Sequence, residues 1–451
     1  MKEEGLAVNK EKGFGEESLA PQTNRIMGNA SYTFAWIAGV ININSFMMGA
    51  ALVPPSGKLN LVQGALAMLI GVTIISIAMT WNGVPGHRLG IPFIVHTRTC
   101  FGMKGSLFPG LIRSLPAVLW YGIQSWIGAS AINSVLYMVI GFDNMIVCFV
   151  GFQLLQILLS ILGFKGIKWL ENIGAVFIII ALGYMFLVIY NTYKFEIMTN
   201  LIDYKGSWGM PFLAGITTFG GTYTTYVISM GDLSRELRKE TGTKVMFLLH
   251  WIGTVPFTMF MAVIGLMVSG TTGSWDPIKL FTELVPNKPL LIATLLFIAF
   301  AQVTTNVLHN VVPSSYVFME YLNFSYRKSA IAVGIVAMCT CPWILTTSNG
   351  FVKFVQVVSS FLGPIATVMI TDYYILRKKN LDLDMLYDEN GPFKGVNWQG
   401  IAATLAGAAV SLIFIDLSWI AGIVPSVLVY LLLTKYRPIS REFLAGTIYE
   451  K

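Results

Sequence analysis

Charge is what this chain has least of. Only 12% of its 451 residues are Asp, Glu, Lys or Arg, against about 25% in soluble globular domains. With 55% hydrophobic residues and a mean hydropathy of +0.67, the chain cannot clothe itself in water and belongs in a bilayer. Cysteine is sparse too. Cys100, Cys148, Cys339 and Cys341 show no CxxC-type pairing, so neither a disulfide framework nor a zinc site is indicated. Cys339 and Cys341 are expected inside a span, as small apolar residues. There is no GxxxxGK[ST] phosphate loop and no HExxH pair, and no nucleophile, base or metal ligands converge as an intramembrane enzyme requires. Any pumping must therefore draw on an ion gradient. The first 26 residues lack the short apolar run of a signal peptide, so the first helix is expected to act as its own uncleaved insertion signal.

What the chain does have is hydrophobic length. About twelve spans of roughly 20 residues each are read, centred near Val40, Gly71, Gln124, Gly151, Ile180, Phe219, Thr258, Phe300, Val336, Gly363, Leu405 and Pro425. Lys and Arg collect after the even-numbered spans: His87 to Lys104, Lys165 and Lys168, Arg235 to Lys244, Arg327 and Lys328, and Arg377-Lys378-Lys379. By the positive-inside rule those loops and both termini are expected to be cytoplasmic. The net charge of +7 and pI of about 9.1 sum this bias. Because the basic residues are spread among loops, a nucleic-acid partner is set aside.

Two spans are interrupted where an unbroken helix would be cheaper. Ser31 to Val53 carries Gly39, Asn42 and Asn44 in its middle, and Phe219-Gly220-Gly221-Thr222-Tyr223-Thr224-Thr225 interrupts another apolar stretch. Backbone amides cannot be left open in hydrocarbon, so a break is tolerated only inside protein or along a cavity. Paired breaks in corresponding spans point to a secondary transporter with its site near the bilayer midplane. The spans divide as five, five and two, with a break opening each five. Five being odd, the second unit must insert upside down. The expected organisation is residues 1–26 as an N-terminal segment, 27–193 as the first repeat, 208–376 as the inverted second repeat, 397–435 as two peripheral helices and 439–451 as a tail. Residues 27–438 make one transporter domain.

Trp120 and Gln124 lie one turn apart on one helix face. An aromatic plane beside an amide suits a flat heterocycle, since the ring stacks while the amide bonds its edge; the pair would serve equally as interface anchor and helix glue. Ala301, Thr304 and Thr305 share a face of the eighth span, offering a carbonyl and two hydroxyls of the kind a hard cation such as sodium accepts, although Thr hydroxyls in membranes usually bond the preceding turn. Asn310 offers a donor and an acceptor to an amide-like edge. His309 titrates near neutral pH but is expected to pack. The embedded acids Glu171, Asp372 and Asp416 sit near span ends, which tilts coupling toward sodium, with the proton as the alternative.

Three strings carry a family resemblance: Gly90-Ile-Pro-Phe-Ile-Val-His-Thr-Arg98 with Phe101-Gly-Met-Lys-Gly-Ser106, Trp120-Tyr-Gly-Ile-Gln-Ser-Trp126, and Leu362-Gly-Pro-Ile-Ala-Thr-Val-Met-Ile-Thr-Asp-Tyr-Tyr374. From about Arg25 to Pro438 the chain resembles the nucleobase–cation symporter-1 family, which includes hydantoin, allantoin and cytosine permeases. The resemblance implies an all-α polytopic membrane protein of the LeuT type, with two inverted five-helix repeats, broken first and sixth helices and two additional helices. It implies sodium held by the backbone of Ala38 and Ile41 with Ala301, Thr304 and Thr305. It also implies a small neutral heterocycle stacked on Trp120 and bonded by Gln124 and Asn310. Asn42 replaces a glutamine of the hydantoin permeases, Tyr223 their second stacking tryptophan and Thr222 a glycine; a gating position falls at about Val355, beside Gln356. A symporter in a bacterial cytoplasmic membrane, acting as a monomer by alternating access, is expected. An amino-acid or amine carrier of the same fold is the rival reading.

Overall fold

The computed structural model describes residues 19–41, 43–161, 180, 183–274, 276–285, 287–346 and 348–450. The described residues are helical, apart from turns and one isolated bridge between Met27 and Leu237. The broken first span is α1 (Asn29–Val40) followed by α2 (Ile43–Ala50), bent by 51°. Then come α3 (Leu61–Leu89), α4 (Leu107–Ile140) and α5 (Met145–Ile161). The sixth span is α6 (Met210–Gly221), α7 (Thr224–Ile228) and α8 (Met230–Ser234). After these run α9 (Thr243–Thr272), α10 (Lys288–Leu322), α11 (Tyr326–Met338), α12 (Ser348–Thr371), α13 (Trp398–Ile413) and α14 (Ser418–Tyr436). The expected fifth span, with Glu171, falls largely in 162–179 and 181–182, outside the described residues; Asn42 falls outside them as well.

Local signals set where the helices begin and end. Asn60 and Gln63 form a reciprocal capping box at the start of α3, which stops at Gly90 with φ +80°. α4 and α9 likewise end on left-handed glycines, Gly141 and Gly273. One boundary corrects the sequence reading. Cys339 and Cys341 do not lie inside a helix: α11 stops at Met338, Cys339 is exposed and Cys341 has φ +49°. Pro342 explains this, because it cannot donate to a preceding carbonyl and restricts the residue before it.

α9 packs against α1, α2 and α3, and α4 against α5 and α10. Gly49 and Gly265 let α2 and α9 cross in close contact: a Cβ on Gly49 would come within 1.9 Å of the Ala262 carbonyl, and one on Gly265 within 2.0 Å of the Phe46 carbonyl. The N-terminal segment ties several loops together on one side. Gln22 N–H donates to Gly90 O, Met27 N–H to Glu236 O, and Tyr387 Oη–H to Leu19 O. These are the loops after the second, sixth and tenth spans, among those in which the basic residues collect. On the same side Asp372, fully buried, is paired with Arg377 at 2.7 Å and accepts from Tyr430. The acid is therefore a structural lock, and the C-terminal tail completes it through Arg377 donating to the Phe443 carbonyl.

Candidate substrate and ion site

At the first break the freed carbonyls are met by side chains from both halves of the molecule. Ser45 Oγ–H donates to Val40 O at 2.9 Å, and Tyr226 Oη–H to Gly39 O at 3.3 Å. Gly39 is required by proximity, since a Cβ there would lie 2.3 Å from His309 Nε2. At the second break Thr224 Oγ–H donates to Gly221 O at 2.7 Å. The two breaks are joined by Tyr223, whose hydroxyl lies 2.8 Å from Ser45 Oγ and 3.2 Å from Thr258 Oγ1. Side chains thus satisfy interrupted backbone in place of water.

His309 packs between Trp36 (ring centroids 5.7 Å apart, stacked) and Tyr226 (4.5 Å). It and Asn310 sit on a π turn, Val307–Val311, within α10, a widened geometry that recurs at functional sites. Pro313 lies four residues after His309 and so leaves the His309 carbonyl without its helical donor. Arg113, completely buried, supplies that donor at 2.8 Å and also bonds Thr225 O and Ser229 Oγ. One guanidinium from the third span thereby holds the sixth and eighth together.

Trp120 is buried with Phe351 and Phe354 of the tenth span edge-on at 5.4 and 5.1 Å. One turn along, Gln124 is buried and its Oε1 has no hydrogen-bond partner among the described residues. Asn310 Nδ2 donates to Asn306 Oδ1 at 2.8 Å, Asn306 Nδ2 to Gln156 Oε1 at 2.9 Å, and Gln156 Nε2 to Ser125 Oγ at 2.7 Å. This relay fixes which way the Asn310 amide is turned. Thr222 is half-buried and bonds back to Thr218 O, and Gln356 reaches Thr218 Oγ1 at 3.4 Å. On α10, Thr304 Oγ–H donates to Ala301 O at 3.1 Å, whereas the buried Thr305 Oγ1 has no partner among the described residues. α1, carrying Ala38 and ending beside Ile41, packs against α10.

A permease profile described as "Permease for cytosine/purines, uracil, thiamine, allantoin" matches residues 20–436. The chain belongs to this permease family. It is 27% identical over 428 residues to a hydantoin permease of Microbacterium maritypicum, covering 90% of this chain and 86% of the relative. It is 26% identical to an allantoin permease of Bacillus subtilis, covering 94% and 93%. Its fold matches the structure of Mhp1, a nucleobase–cation symport-1 transporter in a closed conformation with bromovinylhydantoin bound, at a TM-score of 0.83 and 25% identity over 95% of both chains. The LeuT-type all-α architecture and the nucleobase–cation symporter-1 assignment expected from the sequence are those of this permease, which is a transporter and not an enzyme.

The permease brings Trp120 and Gln124 together on one face of α4, and Asn310 into the relay that crosses to α5. Tyr223 stands differently from a free stacking ring, because its polar tip is engaged by Ser45 and Thr258. The sequence reading missed Arg113, Asn306, Gln156 and Ser125. An arginine inside an apolar span was the available signal for the first. The i,i+4 spacing of Asn306 and Asn310 was the signal for one step of the amide relay, whereas Gln156 and Ser125 lie on other helices and no spacing links them to it.

Proposed function

We propose that this permease imports a flat, neutral N-heterocycle of the hydantoin, allantoin or nucleobase type together with sodium, by alternating access. The observation that carries the reading is the buried Gln124 Oε1, which finds no partner among the described residues and lies one helical turn from Trp120. A buried amide oxygen left open costs about 1–3 kcal/mol, and a ring N–H stacked on Trp120 would satisfy it. Asn310, held by Asn306, would present its remaining donor and its oxygen to the opposite polar edge. Tyr223 would close the far wall, its ring pinned by the hydroxyl contacts to Ser45 and Thr258. Asn42 and Thr222 would line the remaining approach. Phe351, Phe354 and Gln356 would form the cover on the tenth span, near the expected gating position at Val355. The likeness to permeases whose names specify hydantoin and allantoin supports the substrate class.

Sodium fits the donor set on the eighth span. Thr305 Oγ1 is a buried oxygen without a partner, and Thr304, having donated its proton to Ala301 O, keeps its oxygen lone pairs open. With carbonyls of Ala38, Ile41 and Ala301 they make an all-oxygen set suited to a hard cation. Proton coupling is the second reading, favoured by Asp232. Its Oδ1 accepts from Phe93 N–H at 2.9 Å, and its buried Oδ2 has no partner.

Uptake of labelled hydantoin, allantoin, uracil and cytosine into proteoliposomes decides between them. An inward sodium gradient at equal pH should raise uptake of at least one ring severalfold. If a proton gradient alone drives it, and Asp232→Asn abolishes the effect, sodium coupling is wrong.

A further inference from the structure

Away from the candidate site, an apolar groove of about 760 Å³ runs along the outside of the molecule between the second, tenth and twelfth spans. Its walls are Ile74, Ala78 and Trp81 of α3, and Ala366, Ile370 and Tyr374 from α12 and its continuation. Gly363 and Trp419 close one end, where a Cβ on the glycine would sit 2.5 Å from the Trp419 Cβ. Between Gly363 and Tyr374 the helix rises about 16 Å at 1.5 Å per residue. That is close to half of the roughly 30 Å hydrocarbon core, the depth of one leaflet.

The other end is polar and positive. Lys379, which lines the groove, carries its ammonium 5.4 Å above the Tyr374 ring. Arg88 donates to the Lys379 carbonyl and to Tyr373 Oη, and Lys378 stands next along the turn, where both lysines have positive φ. All three cations are exposed, and none is in an ion pair among the described residues. Trp81, 51% exposed, and Tyr374, whose hydroxyl bonds the Trp81 carbonyl, mark this end as the interfacial level. An apolar slot one leaflet deep, opening beneath three unpaired cations, has the charge and shape of one ligand class.

We propose that this groove binds an anionic glycerophospholipid of the leaflet on the basic side. One acyl chain lies along Ala78, Ala366 and Ile370, and the phosphate meets Lys379 and Arg88. Thr224 and Val227 also line the groove, so the bound chain touches the second broken helix immediately after Tyr223. The site is independent of which heterocycle or ion the permease carries.

Native mass spectrometry of the detergent-purified permease, titrated with phosphatidylglycerol or phosphatidylcholine of identical acyl chains, tests it. One phosphatidylglycerol should be retained roughly 30- to 140-fold more tightly than phosphatidylcholine, at about 1 kcal/mol for each of two or three nearby cations. Lys379→Glu should erase that preference, and Ala78→Trp should lower retention of both lipids, each with an unchanged melting temperature. Equal retention of the two lipids by the wild type, or a preference that survives Lys379→Glu, overturns the proposal. Should either variant fail to fold, photo-crosslinking of a chain-labelled phosphatidylglycerol to the wild type decides. Label on residues 363–374 supports the site, and label spread evenly over the lipid-facing helices refutes it.

Discussion

Replacing Trp120 by alanine removes the stacking plane while leaving Gln124 and the Asn310 relay in place. Stacking of a base on an aromatic ring contributes about 1–3 kcal/mol, so heterocycle affinity of the folded protein should fall roughly 5- to 150-fold. Because the ring is buried against Phe351 and Phe354, the melting temperature should fall as well, a buried Trp→Ala costing about 3–5 kcal/mol. Asn310→Ala should weaken binding comparably by a different route, since it removes edge contacts and leaves the Asn306 amide short of a partner. Equilibrium binding of a labelled ring to both purified variants checks this, and wild-type affinity in both would remove the site from this face of α4 and α10. Trp120 and Gln124 were legible in the sequence because a one-turn spacing within one helix is written in the residue order. Arg113 was harder to read. Its role depends on Pro313, two hundred positions on by chain order, which frees the His309 carbonyl that the guanidinium then fills. Tyr223 shows the same limit, because a phenol in the sequence does not say whether its hydroxyl meets substrate or, as here, Ser45 and Thr258.

Both broken helices could be placed from the sequence, the first from Gly39 with Asn42 and Asn44 and the second from Gly220-Gly221 with the threonines that follow, because two such polar, glycine-bearing interruptions fall in corresponding spans. What holds the breaks was not visible: Ser45, Thr224 and Tyr226 cap carbonyls that only the bend exposes. The π turn at Val307–Val311 and the stop at Met338 escaped for the same reason, being set by single prolines whose effect depends on the turn they enter. The first break yields a test at this scale. A methyl group on Gly39 would sit 2.3 Å from His309 Nε2, and that ring is held between Trp36 and Tyr226. Gly39→Ala should therefore displace α1 from α10 and abolish uptake. His309→Ala, which opens the space, should restore a measurable part of the loss in the double variant, giving a favourable coupling of about 1 kcal/mol or more. Additive effects in that cycle would mean that the glycine is needed for the bend and not for the approach to the histidine.

Across the whole molecule, the proposed function implies that sodium and heterocycle are thermodynamically linked, because the oxygens proposed for each are divided unequally between the same helices. The proposed ion ligands lie on the first break and on Ala301, Thr304 and Thr305; the proposed substrate ligands lie on α4, on Asn310 and at the second break. α10 carries members of both sets, less than three turns apart, and α1 packs against it. Whichever ligand arrives first fixes the relation of α1 to α10 that the other requires, so each should raise the affinity of the other. Linkage demands that the two factors be equal: if saturating sodium tightens ring binding tenfold, about 1.4 kcal/mol, the ring must tighten sodium binding tenfold. Thr305→Ala removes the buried hydroxyl oxygen of that set that has no partner among the described residues. It should abolish the sodium effect on ring affinity while leaving the affinity measured in sodium-free buffer where it was. Titration calorimetry of the ring at several sodium concentrations, for wild type and Thr305→Ala, provides both numbers. A variant that keeps the full sodium effect would place the ion elsewhere, and a wild type in which sodium leaves ring affinity unchanged while protons alter it would transfer the coupling to a group such as Asp232.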